Sequence, residues 1–457
     1  MIDKLISLVK DKDAAEIFKK GGVSLIFRVV GQITGFFMTF YIAHLFGAKG
    51  LGNFVLALII LRIFSLVAKL GLDTASIRFI AGFIKKNKFF SIKIFRRKVL
   101  RLLFATSILS SLLMYFMSNI FSSLLDVNAE YLQLASFFIL PLNFFVLHYQ
   151  SLRGLKKIAE FTFFYRVSQA LFTIVSLFII SSFVVNNNVP IYAYLTSICI
   201  TSLLSYISFN YQFSNLYKLE NDENIEESSF RSILKVSIPL MFAQSVQFIM
   251  AWTDKLMIGN MIDAENVAVY SVAFRFSMIV SITLMAVNSI AAPKFAEKFS
   301  AKDFLGISKI AQYSSKLIFI SSLPIAIILL FFADFFMGLY GSDFKSNMAI
   351  ISLQILVFGR MINAICGSVG NLMQMSGLQN NFMQILFLGA LVNVSLNFVL
   401  IPEDNFLSKY GIEGIVGAAF ASFCSLSFWN LSMVYIVKRK FGFFTLFIPN
   451  FLRKYEK

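Results

Sequence analysis

The chain has 457 residues, of which 58% are hydrophobic and only 14% are charged, and its mean hydropathy is +0.76. A soluble chain with so little charge would lack the polar surface it needs to stay in solution, so the composition excludes an ordinary soluble domain. The formal net charge is +17. Because the basic residues flank hydrophobic stretches, anionic lipid headgroups account for this charge, and no nucleic-acid partner is expected.

Apolar stretches alternate with short polar gaps along the whole chain. Most of these stretches reach the roughly 20 residues that a membrane-crossing helix needs. The pattern therefore predicts an all-α polytopic membrane protein with about twelve transmembrane helices. The predicted spans are residues 23–46, 51–68, 99–125, 130–149, 161–185, 189–211, 236–258, 266–291, 314–339, 347–375, 382–401 and 411–437.

The distribution of Lys and Arg predicts the orientation of these spans. Most of the 41 basic residues lie in the two terminal segments and in the even-numbered gaps, whereas the odd-numbered gaps hold only Lys49, Lys345 and Lys409. By the positive-inside rule, the even gaps and both termini face the cytoplasm. The expected topology is that of a multi-pass protein with cytoplasmic N and C termini.

The longest polar interruption, residues 214–235, follows the sixth span and divides the spans into two sets of six. Segments 47–89 and 262–304 occupy the same rank in their halves and are weakly similar. A six-span repeat predicts two parallel six-helix bundles around a central cavity. The predicted domains are a cytoplasmic segment 1–22, a bundle 23–213, a cytoplasmic linker 214–235, a bundle 236–437 and a cytoplasmic tail 438–457.

Some charged residues lie within the predicted spans, where each costs about 2.5–3.5 kcal/mol near the middle of the membrane. Such residues are expected to face protein, water or an interface rather than lipid. The basic candidates for a substrate site are Arg28, Arg62, Lys255, Arg275 and Arg360. Their acidic counterparts are Asp254 and Asp334, so the balance of five basic to two acidic residues predicts a positive cavity.

Polar residues recur at helical spacing in several spans, which predicts that they line the same cavity. The first span aligns Arg28 with Gln32, Gly35 and Thr39. The other stripes are Gln244, Gln247, Ala251 and Asp254 in the seventh span, Arg360, Asn363, Gly367, Asn371 and Gln374 in the tenth, and Asn393 with Asn397 in the eleventh.

Simpler interpretations remain open for several of these residues. Arg28 and Arg62 lie one to two turns from the cytoplasmic end of their spans, so their guanidinium groups could snorkel to the surface. Lys255 could form a local ion pair with Asp254 or anchor the helix at the interface. Asp334 lies near an external end and fits an exposed cap. The three cysteines lie in apolar stretches without metal-ligand spacing, so no metal site is expected.

A positive cavity selects anions, and Arg binds phosphate oxygens in pairs. The anionic molecules that a membrane protein moves include lipid pyrophosphates, lipid phosphates and nucleotide sugars. A multidrug or small-molecule cation antiporter would instead place Asp or Glu in the cavity. A glycan polymerase or ligase would need a folded external loop, and the longest external gap, residues 402–410, is too short for one. No catalytic residues and no ATP-binding motif are found, so the sequence predicts a transporter rather than an enzyme.

Six stretches, in this order, resemble the polysaccharide flippases of the multidrug/oligosaccharidyl-lipid/polysaccharide exporter superfamily, the Wzx-type translocases of O-antigen and capsule repeat units. The stretches are HLFGAKGLGNFVLALIILRIFSLVAKLGLDTASIRFIA (44–81), SLRGLKKIAEF (151–161), SIPLMFAQSVQFIMAWTDKLMIGNMIDAENVAVYSVAFRFS (237–277), APKFAEKF (292–299), SVGNLMQMSGLQN (368–380) and GIEGIVGAAFASF (411–423).

The resemblance implies transport of undecaprenyl-pyrophosphate-linked oligosaccharide from the inner to the outer leaflet of the bacterial cytoplasmic membrane by alternating access. It implies arginines of the first and eighth spans at the cavity, which are Arg28 and Arg275 here, and an Asp followed by a basic residue in the seventh, which are Asp254 and Lys255. Asp254 is the candidate for coupling to an H+ or Na+ gradient, and the membrane potential could also contribute. Expected partners are the lipid-linked substrate, membrane lipids, a glycan polymerase and other assembly proteins, with no cofactor.

Overall fold

The computed structural model describes residues 12–184, 186–217 and 228–447, and every regular element in these ranges is a helix. The all-α prediction is therefore confirmed. Nine helices in the described ranges are long and apolar enough to cross a membrane, and the number rises to eleven when two bent helix pairs are each counted as one span.

The first of these candidate spans contains two predicted spans. It runs over 44 residues, Ile26–Lys69, or about 66 Å at 1.5 Å per residue, about twice the hydrocarbon thickness of a bilayer. Gly47 has a φ of 66° and a ψ of −174°, so the helix is kinked there and divides into two parts. When its two parts are counted separately, the eleven candidate spans of the described ranges become twelve, the number that the sequence predicts.

The chain folds as two compact units, Met1–Gln247 and Phe248–Lys457, and the division between them falls inside a helix. The predicted linker 214–235 lies before this division, and its residues 218–227 lie outside the described part, as do 1–11 and 448–457 of the predicted terminal segments. The predicted domain limits therefore stay a prediction.

The first unit is built from eight helices and the beginning of a ninth. A π-helical turn, Phe164–Ser168, connects the sixth and seventh helices without a break. The helices are α1 (Lys12–Lys69), α2 (Leu72–Lys85), α3 (Phe89–Leu125), α4 (Ala129–Ser136), α5 (Ile139–Gly154), α6 (Ile158–Phe163), α7 (Gln169–Ser181), α8 (Val189–Tyr217) and α9 (Phe230–Met261).

The interior of the first unit contains hydrogen-bonded polar side chains as well as apolar ones. The hydroxyl of Ser65 on α1 donates to the Oδ1 of Asn143 on α5 over 2.6 Å, and the Nδ2 of Asn143 donates to the hydroxyl of Ser107 on α3 over 2.9 Å. Since lipid offers no hydrophobic gain for joining apolar helices, such bonds and close packing hold membrane helices together.

The second unit contains the rest of α9 and eight further helices. Helices α10 and α11 form a rod bent by 50°, as α4 and α5 do in the first unit with a bend of 49°. The helices are α10 (Ala264–Ile279), α11 (Ile282–Ser300), α12 (Phe304–Phe331), α13 (Ala333–Gly338), α14 (Asn347–Cys366), α15 (Val369–Met375), α16 (Gln379–Leu400) and α17 (Gly414–Phe441).

The predicted tenth span, 347–375, is not one continuous helix. Gly367 has a φ of 65° and a ψ of −141°, which ends α14 at Cys366, and α15 begins only at Val369. A Cβ at residue 367 would lie 2.0 Å from the hydroxyl oxygen of Ser315, so the backbone here makes an approach that only glycine permits.

Candidate functional site

Four helices of the second unit converge on the carboxylate of Asp254, which is buried near the end of α9 with a relative exposure of 6%. Two amides on α16 donate to its Oδ1, Asn393 over 2.9 Å and Asn397 over 2.7 Å. Two hydroxyls donate to its Oδ2, Tyr270 of α10 and Ser422 of α17, each over 2.5 Å. We call these five residues the Asp254 cluster.

The sequence favours this convergence through helical spacing and one close helix contact. Asn393 and Asn397 are four residues apart, so α16 presents both amides on one face. At Gly417 of α17, a Cβ would lie only 2.0 Å from the carbonyl oxygen of Leu400 on α16. This approach brings the two helices together beside the cluster, where Ser422 and Asn397 both bond to Asp254.

The Asp254 cluster has the donor atoms that a small cation needs. A carboxylate and amide or hydroxyl oxygens are ligands that hard cations take. The carbonyl Oδ1 of Asn397 is buried and has no hydrogen-bond partner in the described part of the chain. Rotation of the Asn393 and Asn397 amides would turn their carbonyl oxygens towards the carboxylate. The site therefore fits a proton on Asp254 or an alkali cation bound among these oxygens.

Two cations lie next to the Asp254 cluster. The Nζ of Lys255 is 4.5 Å from the centre of the Trp252 ring and 5.0 Å from that of Phe274, and the Arg360 guanidinium is 4.9 Å from the same Phe274 ring. Arg360 is also attracted electrostatically by Asp254. With Asp254 ionised, the group of Asp254, Lys255 and Arg360 carries one net positive charge.

Arg275 follows Phe274 on α10 and lies about 100° further around the helix. Its side chain interacts electrostatically with Tyr340, a residue of the buried core next to α13. Whether Arg275 and Arg360 bind one substrate stays a prediction.

The predicted polar stripe of the tenth span is interrupted. Arg360 and Asn363 lie on α14, whereas Asn371 and Gln374 lie on α15, beyond the change of direction at Gly367. The prediction that all four share one helical face is wrong, because positive φ at Gly367 breaks the 3.6-residue periodicity. Asn363, Asn371 and Gln374 are all half-buried.

In the first unit, Arg28 and Arg62 have different surroundings. Arg28 is half-buried and interacts electrostatically with Arg166, Tyr165 and Arg153. Arg62 forms a side-chain hydrogen bond with Tyr194 of α8, so it is tied into its own bundle rather than extended to the surface.

The glutamines predicted to line the cavity also have different surroundings. The Nε2 of Gln244 donates to the Thr74 hydroxyl over 2.5 Å and to the Oδ1 of Asp73 over 3.3 Å, so this glutamine joins α9 to α2. Gln32 and Gln247 are exposed. Asp334 is exposed and pairs with Lys345 over 3.1 Å, in agreement with its interpretation as a surface residue.

Sequence reasoning does not identify three residues that the structure brings next to the candidate residues. Tyr270 and Ser422 are isolated polar residues in different spans, and no spacing within one helix links them to Asp254. Arg166 lies close to the cytoplasmic end of a predicted span and resembles any residue of the positive-inside pattern. Among these groups, the Asn393–Asn397 spacing is the sequence signal that indicates a polar face.

This fold of apolar helices with buried polar clusters is that of a multi-pass membrane protein. The chain belongs to the polysaccharide biosynthesis protein family, whose family profile matches residues 17–299. The MatE profile matches residues 239–399. Both families, like the structures similar to this chain, are members of the multidrug/oligosaccharidyl-lipid/polysaccharide exporter superfamily, and the predicted resemblance is confirmed.

Several solved structures share the fold. An inward-facing multidrug resistance MATE transporter has a TM-score of 0.70 at 16% identity, over 92% of this chain and 98% of its own. The lipid II flippase MurJ in an inward closed conformation has a TM-score of 0.67 at 16% identity, over 90% and 87%. A Pyrococcus furiosus transporter described as having a binding pocket of reverse polarity has a TM-score of 0.62 at 16% identity, over 93% and 95%. No curated protein sequence matches the chain significantly.

Proposed function

We propose that this chain is a flippase that moves undecaprenyl-pyrophosphate-linked oligosaccharide repeat units from the inner to the outer leaflet of the bacterial cytoplasmic membrane by alternating access. The observation that carries the proposal is the presence of membrane-embedded arginines in a member of the polysaccharide biosynthesis protein family. Buried positive charge suits a pyrophosphate, and the likeness in fold to a lipid II flippase supports the same class of cargo.

In this mechanism the arginines replace the hydration of the headgroup. Arg28 attracts the pyrophosphate as it enters from the cytoplasm, and Arg275 and Arg360 bind it within the membrane, with Lys255 and Arg62 adding positive charge. Polar groups such as Gln247, Asn363 and Asn371 bond sugar hydroxyls, while the polyprenyl chain stays in lipid. With the cell interior negative, outward movement of the anion is favoured by about 2.3 kcal/mol per charge per 100 mV.

Asp254 couples the cycle to H+ or Na+. Its buried carboxylate, the two facing amides and the unpartnered Asn397 carbonyl support this assignment. Thermal unfolding of the purified protein in NaCl or in choline chloride at several pH values tests it. We expect Na+ to stabilise the wild type and to have no such effect on Asp254→Asn. Equal responses of the two proteins would remove Asp254 from the coupling role.

The substitutions Arg275→Ala and Arg360→Ala test the pyrophosphate role, with surface glycan as the readout and Arg101→Ala as the control. Arg101 is exposed on α3. We expect both arginine variants to lose surface glycan at wild-type protein levels, and Lys at the same positions to restore it only in part, because Lys lacks the paired donors of Arg. Normal glycan in both Ala variants would overturn the role.

A multidrug or small-molecule cation antiporter is the second candidate. The MatE match over residues 239–399 favours it, as does the buried carboxylate within that segment. Deletion of the protein distinguishes the two functions. A flippase leaves lipid-linked oligosaccharide in the inner leaflet, whereas an antiporter leaves glycan unchanged and increases the sensitivity of the cells to cationic drugs.

A further inference from the structure

The rod formed by α6 and α7 contains a π-helical turn, Phe164–Ser168, in its middle. Such turns are rare, add one residue to a helical turn, and are frequent at functional sites. Within this turn Phe164, Val167 and Ser168 are buried, whereas Tyr165 and Arg166 are exposed. The turn therefore holds an arginine at the surface of a rod that is otherwise strongly apolar.

Helix α1 packs directly on this turn. A Cβ at Gly31 would lie 2.5 Å from the carbonyl oxygen of Arg166, so only glycine allows the two backbones to approach this closely. The rings of Phe27 and Phe163 are in contact next to it, with centroids 6.0 Å apart. Arg28 precedes Gly31 by almost one turn of α1, which places Arg28 on the side of the helix near Arg166.

The packing brings three arginines together at this turn. Arg166 and Arg153 both repel the Arg28 guanidinium electrostatically. In the described ranges of the chain, none of these three arginines forms an ion pair. The nearby Glu160 accepts a 2.7 Å hydrogen bond from Gln212 of α8.

Aromatic rings hold two of these guanidinium groups in place. Arg166 lies 4.4 Å from the centre of the Tyr165 ring, and Arg153 lies 5.2 Å from that of Phe161. The two rings stack on each other at 5.5 Å with an interplanar angle of 13°. A guanidinium over an aromatic face keeps its in-plane N–H donors available, which a carboxylate partner would occupy.

We propose that Arg28 and Arg166, with Arg153 at their edge, form a binding site in the first unit for the diphosphate of a lipid-linked substrate. This inference rests on the proposed function and assigns its entry step to a site that includes Arg166. Repelling cations that are held together without a counter-ion favour a dianionic ligand, and two guanidinium groups match the oxygens of two linked phosphates.

The test measures binding of undecaprenyl pyrophosphate to the purified protein in detergent, for the wild type, Arg166→Ala, Arg166→Lys and the control Arg101→Ala. We expect affinity to fall roughly 10- to 100-fold in Arg166→Ala, the effect of losing hydrogen bonds between charged groups. It should fall less in Arg166→Lys and be unchanged in Arg101→Ala. Wild-type affinity in Arg166→Ala would overturn the inference and leave the proposed function standing.

Inorganic pyrophosphate is a second probe, and it distinguishes binding of the diphosphate group from binding of the whole lipid. Competition of pyrophosphate with the lipid, lost in Arg166→Ala, supports the site. Binding of pyrophosphate that depends on Arg166, without any binding of the lipid, would retain the site and overturn the proposed cargo. A wild type that binds neither probe would overturn both. In a double-mutant cycle, the affinity losses of Arg28→Ala and Arg166→Ala should be non-additive, because the two guanidinium groups repel each other, and additive losses would contradict this interaction.

Discussion

Replacement of Asp254 should destabilise the second unit strongly, because four donors would lose a common acceptor. In Asp254→Ala, the amides of Asn393 and Asn397 and the hydroxyls of Tyr270 and Ser422 lose their bonds of 2.5–2.9 Å. Each buried donor left unpaired costs about 1–3 kcal/mol, so the loss from the four donors should reach at least about 3–5 kcal/mol.

Asp254→Asn should cost less, about 2–3 kcal/mol. Its carbonyl oxygen can still accept from Tyr270 and Ser422, but these bonds lose their charge assistance, worth about 1 kcal/mol each. Its NH2 group would face the Nδ2 donors of Asn393 and Asn397, which must rotate to accept from it. Tyr270→Phe removes one donor and should cost about 1–2 kcal/mol.

The assay is the free energy of unfolding from titration with sodium dodecyl sulfate in mixed micelles. The control is Asp334→Asn, which breaks only the exposed pair with Lys345 and should cost less than about 1 kcal/mol. The expected order of loss is Asp254→Ala, Asp254→Asn, Tyr270→Phe and then the control. If Asp254→Ala were as stable as the control, the cluster would not hold the helices together.

Three further changes test the packing. Gly417→Ala should destabilise the protein by about 1–3 kcal/mol in the same titration, because its methyl group would overlap the carbonyl of Leu400. Gln244→Ala should cost about 0.5–1.5 kcal/mol through its lost hydrogen bonds, whereas Gln247→Ala, at an exposed position, should leave unfolding unchanged. Truncation after Gly442 removes residues 443–457, of which Thr445 and Phe447 bond to the second unit, and thermal unfolding should show a lower midpoint than in the full chain.

The helical rods could be predicted well from the sequence, because crossing a membrane demands long apolar runs that are visible without a structure. Prediction is less successful where one glycine changes the backbone direction. Gly47 divides a 58-residue helix at the boundary that the polar gap indicates. Gly367 has no polar gap beside it that would mark a boundary, so the predicted tenth span continues past the end of α14.

Contacts between helices are harder to predict than the helices themselves. Helical spacing identifies Asn393 and Asn397 as one face, but nothing in the sequence connects that face to Asp254, which lies 139 residues before Asn393. The same holds for Arg28 and Arg166, whose proximity depends on the missing side chain of Gly31 and on a π-helical turn without a recognisable sequence pattern.

Two neighbouring aromatic rings of α10, Tyr270 and Phe274, connect the Asp254 cluster to the basic group beside it, and this gives a physical route for coupling within the second unit. Tyr270 bonds to Asp254, and Phe274, one turn later on α10, lies against both Lys255 and Arg360. Neutralising Asp254 with a proton or a cation would remove the charge that attracts Arg360. The net positive charge available to an anion would then rise by one, so a proton or cation at Asp254 and an anion bound near Arg360 should favour each other.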